Sequence, residues 1–395
     1  MTFKRSLAPL VGLFLLPSCA LMGPRLNVDP VAVSTQKPGN VALYVAVSQN
    51  GSGVIGLEPA DFKVYENGNA LDSTQIQLSL LPTGASTSRR AAVLVDMSKS
   101  LTQGERKSLS DALRPFIVRL RQRQPVSLYA YDGAEQVHLV QEYSFEGRAE
   151  PDEKDTSMER LLSFSRKDAS ASLYSAVVDG AQKLETALAA EGRPIRSGTV
   201  IVIALNPDSA GRVEESQVKD FIDDSPLHFF LMTVGATASN ADLSFIGKNG
   251  GTRAGSPMTM SAPLNDMANA VDDSYFRNYL VSYCSPARAG TREVKLEVTT
   301  RDAQGKQRIG SYSTSFDASG FGPGCNPQAP PRLVLTKPRP APKVVEFIKP
   351  SSKGGSKATR TAAAPPPSGS SGASRPPQTN EPATIAEPPS GLGYE

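Results

Sequence analysis

Ala91-Ala92-Val93-Leu94-Val95-Asp96-Met97-Ser98-Lys99-Ser100 is an apolar run that ends in a carboxylate and two hydroxyls at alternate positions. Five continuous apolar residues rich in Val and Leu suit a strand covered on both faces of a parallel sheet. Leu109, Ala112, Leu113, Phe116, Ile117 and Leu120 then recur at three- and four-residue steps, which predicts a helix. Pro115 inside it bends that helix or raises its cost. Ligand sites in open α/β sheets lie just outside the carboxyl ends of strands, and Asp96, Ser98 and Ser100 stand at such an end. Hard oxygens converging on one point suit Mg²⁺ or another oxygen-loving divalent cation. Asp and Ser are also common capping residues. The residues therefore carry two readings: a cation site, or a rim in which Asp96 and the serines hydrogen-bond the backbone of neighbouring loops.

The alternation continues outward. Val126 to Tyr131 and Val137 to Val140 predict a hairpin around Asp132-Gly133, and Leu173, Ala176, Val177, Gly180, Ala181, Leu184 and Leu188 form a second helical stripe. Continuous strands are expected over 199–205 and 227–234, with helical segments near 214–222 and 239–246. Strands alternating with helices imply a doubly wound, mainly parallel α/β sheet with helices on both faces. Ahead of it, Val41, Leu43, Val45 and Val47 share one face of a half-buried strand. Asn50-Gly51-Ser52-Gly53 is a turn signal, and Phe62-Lys63-Val64-Tyr65 opens another strand, so a small antiparallel β module precedes the α/β part.

The two ends differ in kind from this middle. Lys4 and Arg5 precede an apolar core from Leu10 to Leu16 that is too short to span a bilayer, as in an export signal. Leu16-Pro17-Ser18-Cys19 resembles the bacterial lipobox, which implies cleavage before Cys19 and acylation of that residue. Ala20 after it, rather than Asp, favours the outer membrane. The remaining cysteines, Cys284 and Cys325, are an even pair and read as one disulfide in an exported protein. From about Gly322 onward Pro, Ser, Gly, Ala and Lys dominate, which predicts a disordered, partly polyproline tail able to reach on the order of 200 Å. Its Lys and Arg outnumber its acids, suiting weak contact with anionic envelope polymers or lipid. Val344-Val345-Glu346-Phe347-Ile348 is its apolar island, either a docking strand or part of a solvated spacer. A formal net charge of +3 over 395 residues gives no support for nucleic-acid binding.

An Asp-x-Ser-x-Ser ending the first strand, a hairpin after the first helix and later alternating elements resemble a von Willebrand factor A domain over roughly 88–270. Flanking stretches extend the resemblance. Gly56 to Gly68 looks like the β module that precedes this domain in many exported bacterial proteins, and Tyr279–Tyr283 with Arg292–Val298 looks like the strand pair that follows it. The resemblance implies a metal-ion-dependent adhesion site with three contributions. Asp96, Ser98 and Ser100 match the first. The second, a Thr ahead of Leu173-Tyr174, is Ala171 here, flanked by Ser170 and Ser172. The third, an Asp at the end of the fourth strand, is Asn206, with Asp208 two residues later. The implied ligand set is therefore Asp96, Ser98, Ser100, Ser170, Asn206 and Asp208, holding Mg²⁺ or Mn²⁺. Such a site is weak, because Ala171 cannot ligate, Asn206 brings no charge and Mg²⁺ dehydrates reluctantly.

The expected organisation is a lipoprotein signal at 1–18, a linker at 19–30 and an N-terminal β module at 31–87. The A-like domain follows at 88–270, then C-terminal strands packing with the N-terminal module at 271–320, and the tail at 321–395. The expected function is that of a lipid-anchored envelope protein, outer-membrane rather than inner, whose A-type domain binds a partner protein through an acidic residue. A metal-independent envelope scaffold is the alternative. A hydrolase is the lesser one: the two histidines, His138 and His228, fall on predicted strands, and no Gly-x-Ser-x-Gly, zinc-spaced His pair or phosphate-cradling glycine loop occurs.

Overall fold

The computed structural model describes residues 26–150, 152, 154–235, 242–339, 345, 347 and 348. Cys19, the export signal and residues 349–395 lie outside the described residues.

Strands β1 (Leu26–Gln36), β2 (Asn40–Gln49), β3 (Ser52–Gly53), β4 (Phe62–Glu66), β5 (Asn69–Ala70) and β6 (Ser79–Leu81) come first. The α/β domain follows: β7 (Thr87–Asp96), α1 (Gln103–Arg121), β8 (Val126–Tyr131), β9 (His138–Tyr143), α2 (Ser157–Leu162), α3 (Leu173–Ala190), β10 (Ile195–Ala204), α4 (Glu215–Asp224), β11 (His228–Val234), β12 (Gly250–Ala254) and α5 (Ser261–Phe276). The chain then returns to β13 (Asn278–Cys284), β14 (Thr291–Arg301), β15 (Gln307–Asp317) and β16 (Val334–Leu335).

The α/β sheet has the order β12-β11-β10-β7-β8-β9, parallel throughout except for antiparallel β9. Side chains alternate across β7. Ala91, Val93 and Val95 enter the core under α1 and α5, while Ala92 and Leu94 enter the core under α3 and α4. Both faces are covered, which is why the strand reads as an unbroken apolar run. Gly180 is needed on α3, because a Cβ there would lie 2.8 Å from both terminal carbons of Leu94. From β7 the chain crosses to β8 on one side, whereas β10, on its other side, leads on to β11. The topological switch point therefore falls between β7 and β10, and the crevice at their carboxyl ends is where open α/β sheets place ligands.

The strands before and after this domain form a two-sheet sandwich. One sheet runs β16-β1-β2-β13-β6 and the other β15-β14-β4-β5. Val41, Leu43, Val45 and Val47 meet Phe62, Val64, Val294, Leu296 and Val298 between them. The opposite face of β2 is not solvated, as a half-buried strand requires. Ala42 and Tyr44 pack on Ile195 of β10 and on Leu333, so β2 is covered on both sides.

Several boundaries shift from the sequence expectation. β1 begins at Leu26, inside the stretch 19–30 expected as a linker. The segment 271–320 opens not on a strand but within α5, a helix without a long enough apolar stripe to stand out in the sequence. Where a helix was expected near 239–246, residues 242–243 are irregular and 244–246 begin a turn that runs to 249, with 239–241 outside the described residues. The tail also starts later than its composition implies. Phe321 and Leu333 are buried, and β16 pairs with β1 at Ala32 and Val33. Arg339 then pairs with Glu185 of α3 at 2.5 Å. Val345 packs into the α3–α4 core with Phe347 against it, and Ile348 N–H donates to the Arg212 carbonyl at 2.7 Å. A Pro-rich composition gives no sign of these contacts.

Cys284 and Cys325 are joined across a sequence separation of 41, tying β13 to the segment beyond β15. A loop of that length implies that Cys284→Ser lowers the unfolding free energy by roughly 2–4 kcal/mol. Urea denaturation checks this: reductant should lower wild type by the same amount and leave the variant unmoved.

Candidate functional site

The crevice at the switch point is built on Asp96, which is fully buried. Its Oδ1 accepts from the Ser98 N–H at 2.9 Å and the Ser98 hydroxyl at 2.6 Å. Its Oδ2 accepts from the N–H groups of Leu205 at 3.1 Å and Asn206 at 2.9 Å. One carboxylate thus folds the 97–100 loop back on itself and ties the end of β7 to the end of β10. Asn206 closes the arrangement by donating its amide to Ser98 Oγ at 3.0 Å. Burial raises the Asp96 pKa above the usual carboxylate range, opposed by the hydrogen bonds from Ser98, Asn206 and Leu205.

The other expected ligands go elsewhere. Ser170 donates to Asp168 Oδ1 at 2.7 Å, and Asp168 pairs with Arg212 at 3.3 Å. Asp208 accepts from the N–H of Tyr174 at 3.0 Å and of Gly211 at 3.0 Å, so it covers the first turn of α3, which favours a negative charge. Burial raises its pKa also. Ala171 is buried, its carbonyl accepting from Ser209 and Ala210. Ser100 is exposed beside the crevice. Of the six expected ligands, hydrogen bonds bring together Asp96, Ser98 and Asn206; Ser100 lines the same cavity, and Ser170 and Asp208 make their hydrogen bonds elsewhere.

A von Willebrand factor A-like architecture accounts for this arrangement: a doubly wound sheet whose switch point carries an Asp-x-Ser-x-Ser loop. The fold is von Willebrand factor A-like. No protein-family model matches the chain, and no curated protein matches it in sequence. Solved structures do. The ArnB paralog VWA2 from Sulfolobus acidocaldarius is 14% identical, with 75% of this chain and 75% of that one covered, at a TM-score of 0.34. A von Willebrand factor type A protein from Catenulispora acidiphila is 10% identical, covering 75% and 74%, at 0.35. Proximal thread matrix protein 1 from the mussel byssus, with a zinc-occupied MIDAS motif, is 11% identical, covering 51% and 48%, at 0.33. At these TM-scores the likeness carries no argument about the site, which rests on this chain's own geometry.

A divalent cation would have to compete with the hydrogen bonds already made in that geometry. Both Asp96 oxygens already accept at least two hydrogen bonds each, and Asp208 is committed to α3 and its own turn. Among the described residues no group of three or more His, Cys, Asp or Glu could hold a metal. The hydroxyls of Tyr131 and Ser172 are buried without partners, but they are neutral and supply no charge. Cations also crowd the crevice. A cavity of about 380 Å³ over Ser98 and Asn206 is lined by Lys99, Ser100 and Arg166 as well, with no carboxylate in its lining. Arg166 donates to the Ser98 carbonyl at 2.7 Å, and so is held over the loop.

Arg166 and Lys99 line this crevice without having been singled out in the sequence. Asp132, read there as a turn residue, is the reason Arg166 is in place. It is buried, and its Oδ2 accepts from the Lys167 N–H at 2.7 Å while Oδ1 accepts from Ala134 at 2.8 Å. One of its oxygens serves its own turn and the other a loop 35 residues away, and that second contact leaves no local signal.

Asp96→Ala orphans the Leu205 and Asn206 amides and should cost roughly 2–4 kcal/mol. Amide exchange should quicken first at 97–100 and 205–206, and Mg²⁺ should raise the melting temperature of neither wild type nor variant.

Proposed function

We propose that the chain is a protein-binding module of the bacterial envelope. Its A-like domain grips an acidic residue of a partner at the carboxyl edge of the parallel sheet, with fixed cations in the role of a metal. The observation that carries this reading is the one-signed lining of two cavities at that edge. Beside the cavity over Ser98 lies a second of about 270 Å³ that shares Lys99, Ser100 and Arg166 and adds Arg106. No Asp or Glu lines either one. Arg106 and Arg166 are held by the carbonyls of Leu101 and Ser98, so their positions are set before a ligand arrives. A guanidinium meets a carboxylate with two parallel hydrogen bonds, and complementary charge favours encounter and specificity. Leu162 and Phe164 of the second cavity offer an apolar seat next to that carboxylate.

The reading is of a binder rather than an enzyme. His228 begins β11, at the opposite end of the sheet from Asp96, and so stands away from the crevice. A metal-independent scaffold is the second reading, favoured by the structural use of Asp96 in joining β7 to β10. Anchoring through acyl chains on Cys19 is supported by the lipobox-like Leu16–Cys19, and the Cys284–Cys325 pair supports an oxidising compartment. More than one acyl chain is needed for stable attachment.

Two measurements test the proposal. Immobilised peptides carrying Asp or Glu, compared with their Asn and Gln counterparts, should retain the wild-type chain in the presence of a chelator. Lys99→Gln with Arg166→Gln should weaken that retention at least about tenfold while leaving the melting temperature unchanged. Retention that ignores the carboxylate, or that the chelator abolishes, would rule the reading out. For the anchor, metabolic labelling with a fatty acid should mark the wild-type chain and not Cys19→Ser.

A further inference from the structure

At the other end of the parallel strands, the sandwich and the A-like domain share a cavity of about 270 Å³. The turn Gly51-Ser52-Gly53 forms one wall, and His228, Lys248 and Arg277 belong to the other. The two units meet closely there. A Cβ on Gly53 would lie 2.4 Å from the Asp273 carbonyl oxygen and 2.9 Å from Arg277 Cβ, so only glycine lets the turn seat on α5.

Two residues that line this cavity carry donor atoms without acceptors. Arg277 Nη2 lies 3.0 Å from His228 Nε2, while Arg277 Nε and His228 Nδ1 are buried with no hydrogen-bond partner. Lys248 donates to the carbonyls of Ile222 and Ser225, with its charge unneutralised by either. Asp273 of α5 is the one carboxylate in the lining. Asp29 acts on Arg277, and Asp223 and Asp224 act on Lys248, through space. Buried donors without acceptors are costly, and each native instance calls for an explanation such as a bound ion.

We propose that this junction cavity binds a small tetrahedral oxyanion, phosphate or sulfate, free or as a terminal monoester, held by Arg277, Lys248 and His228. The oxyanion supplies acceptors to three donors at once. Because both units line the cavity, it also fastens the sandwich to the A-like domain.

Binding has a proton signature. His228 is pushed down to about 4, by burial first and then by Arg277 and Lys248. Its unfolded value is near 6.5, so as pH falls from there towards 4 the unfolded chain takes up the proton first and stability is lost. An anion between the cations removes their repulsion, raises the folded value and restores part of that stability.

The test follows His228 by proton NMR on the full chain. The chain has two histidines, and His138→Gln assigns them. Sulfate keeps its charge across the range and should raise the His228 midpoint by about one pH unit, leaving His138 unmoved. Lys248→Gln, at an exposed position, should weaken sulfate binding at least about fivefold. A wild-type midpoint that sulfate does not move, a shift that chloride reproduces at equal ionic strength, or an unchanged response in Lys248→Gln would each overturn the proposal. Glycerol phosphate against inorganic phosphate then separates the sources: tighter binding of the ester assigns an esterified ligand, and equal or weaker binding assigns the free ion.

Discussion

The carboxylate of Asp96 is the constraint on which the crevice depends. It sits at the end of β7, without exposure, and receives four hydrogen bonds of 3.1 Å or shorter from two separate segments. Two come from Ser98 and bend the loop that follows; two come from the backbone where β10 ends. Parallel strands carry no hairpin to join their carboxyl ends, so a side chain must do it. With those acceptors filled, the loop presents its carbonyls and its exposed Lys99 and Ser100 outward, and the Ser98 carbonyl becomes the rest for Arg166. A buried carboxylate that holds loops together is poorly placed to coordinate a cation as well.

The domain around it is an insertion. The chain leaves a β-sandwich after β6, completes the A-like domain and re-enters the same sheet at β13, which pairs with both β2 and β6. The disulfide fastens the return strand within the sandwich, while Arg339 pairs with Glu185 of α3 and Val345 packs into the α3–α4 core. Tyr44 illustrates the coupling between the units: it is buried on the outer face of β2, and its hydroxyl lies 3.2 Å from Thr87 Oγ1 at the start of β7. The two ends of the parallel sheet carry different surfaces as a result. The carboxyl edge is open and lined by cations, whereas the amino edge is capped by the sandwich and encloses His228.

Much of the fold is legible in the chain because its signals are local. An apolar run from Ala91 to Val95, helical stripes over 109–120 and 173–188, and a hairpin at Asp132-Gly133 each depend on neighbours within a few residues. The site is less legible. Asp96, Ser98 and Asn206 could be picked out, yet whether an oxygen is free to bind an ion depends on which donors reach it, and those of Asp96 Oδ2 come from residues 109 and 110 positions away. The same holds for Asp208, whose place two residues after Asn206 gave no sign that it serves α3.

The sequence by itself determined the alternation of strands and helices, the switch-point loop and the pairing of Cys284 with Cys325, because periodicity and cysteine parity survive without knowledge of distant contacts. Only the tertiary structure decided the sign of the crevice. Arg166 sits about seventy residues from Asp96 in the chain, and it reaches the Ser98 carbonyl because the buried Asp132 holds the 166–168 loop. Electrostatic character is a sum over groups that meet in space, and no local pattern in the chain encodes that sum.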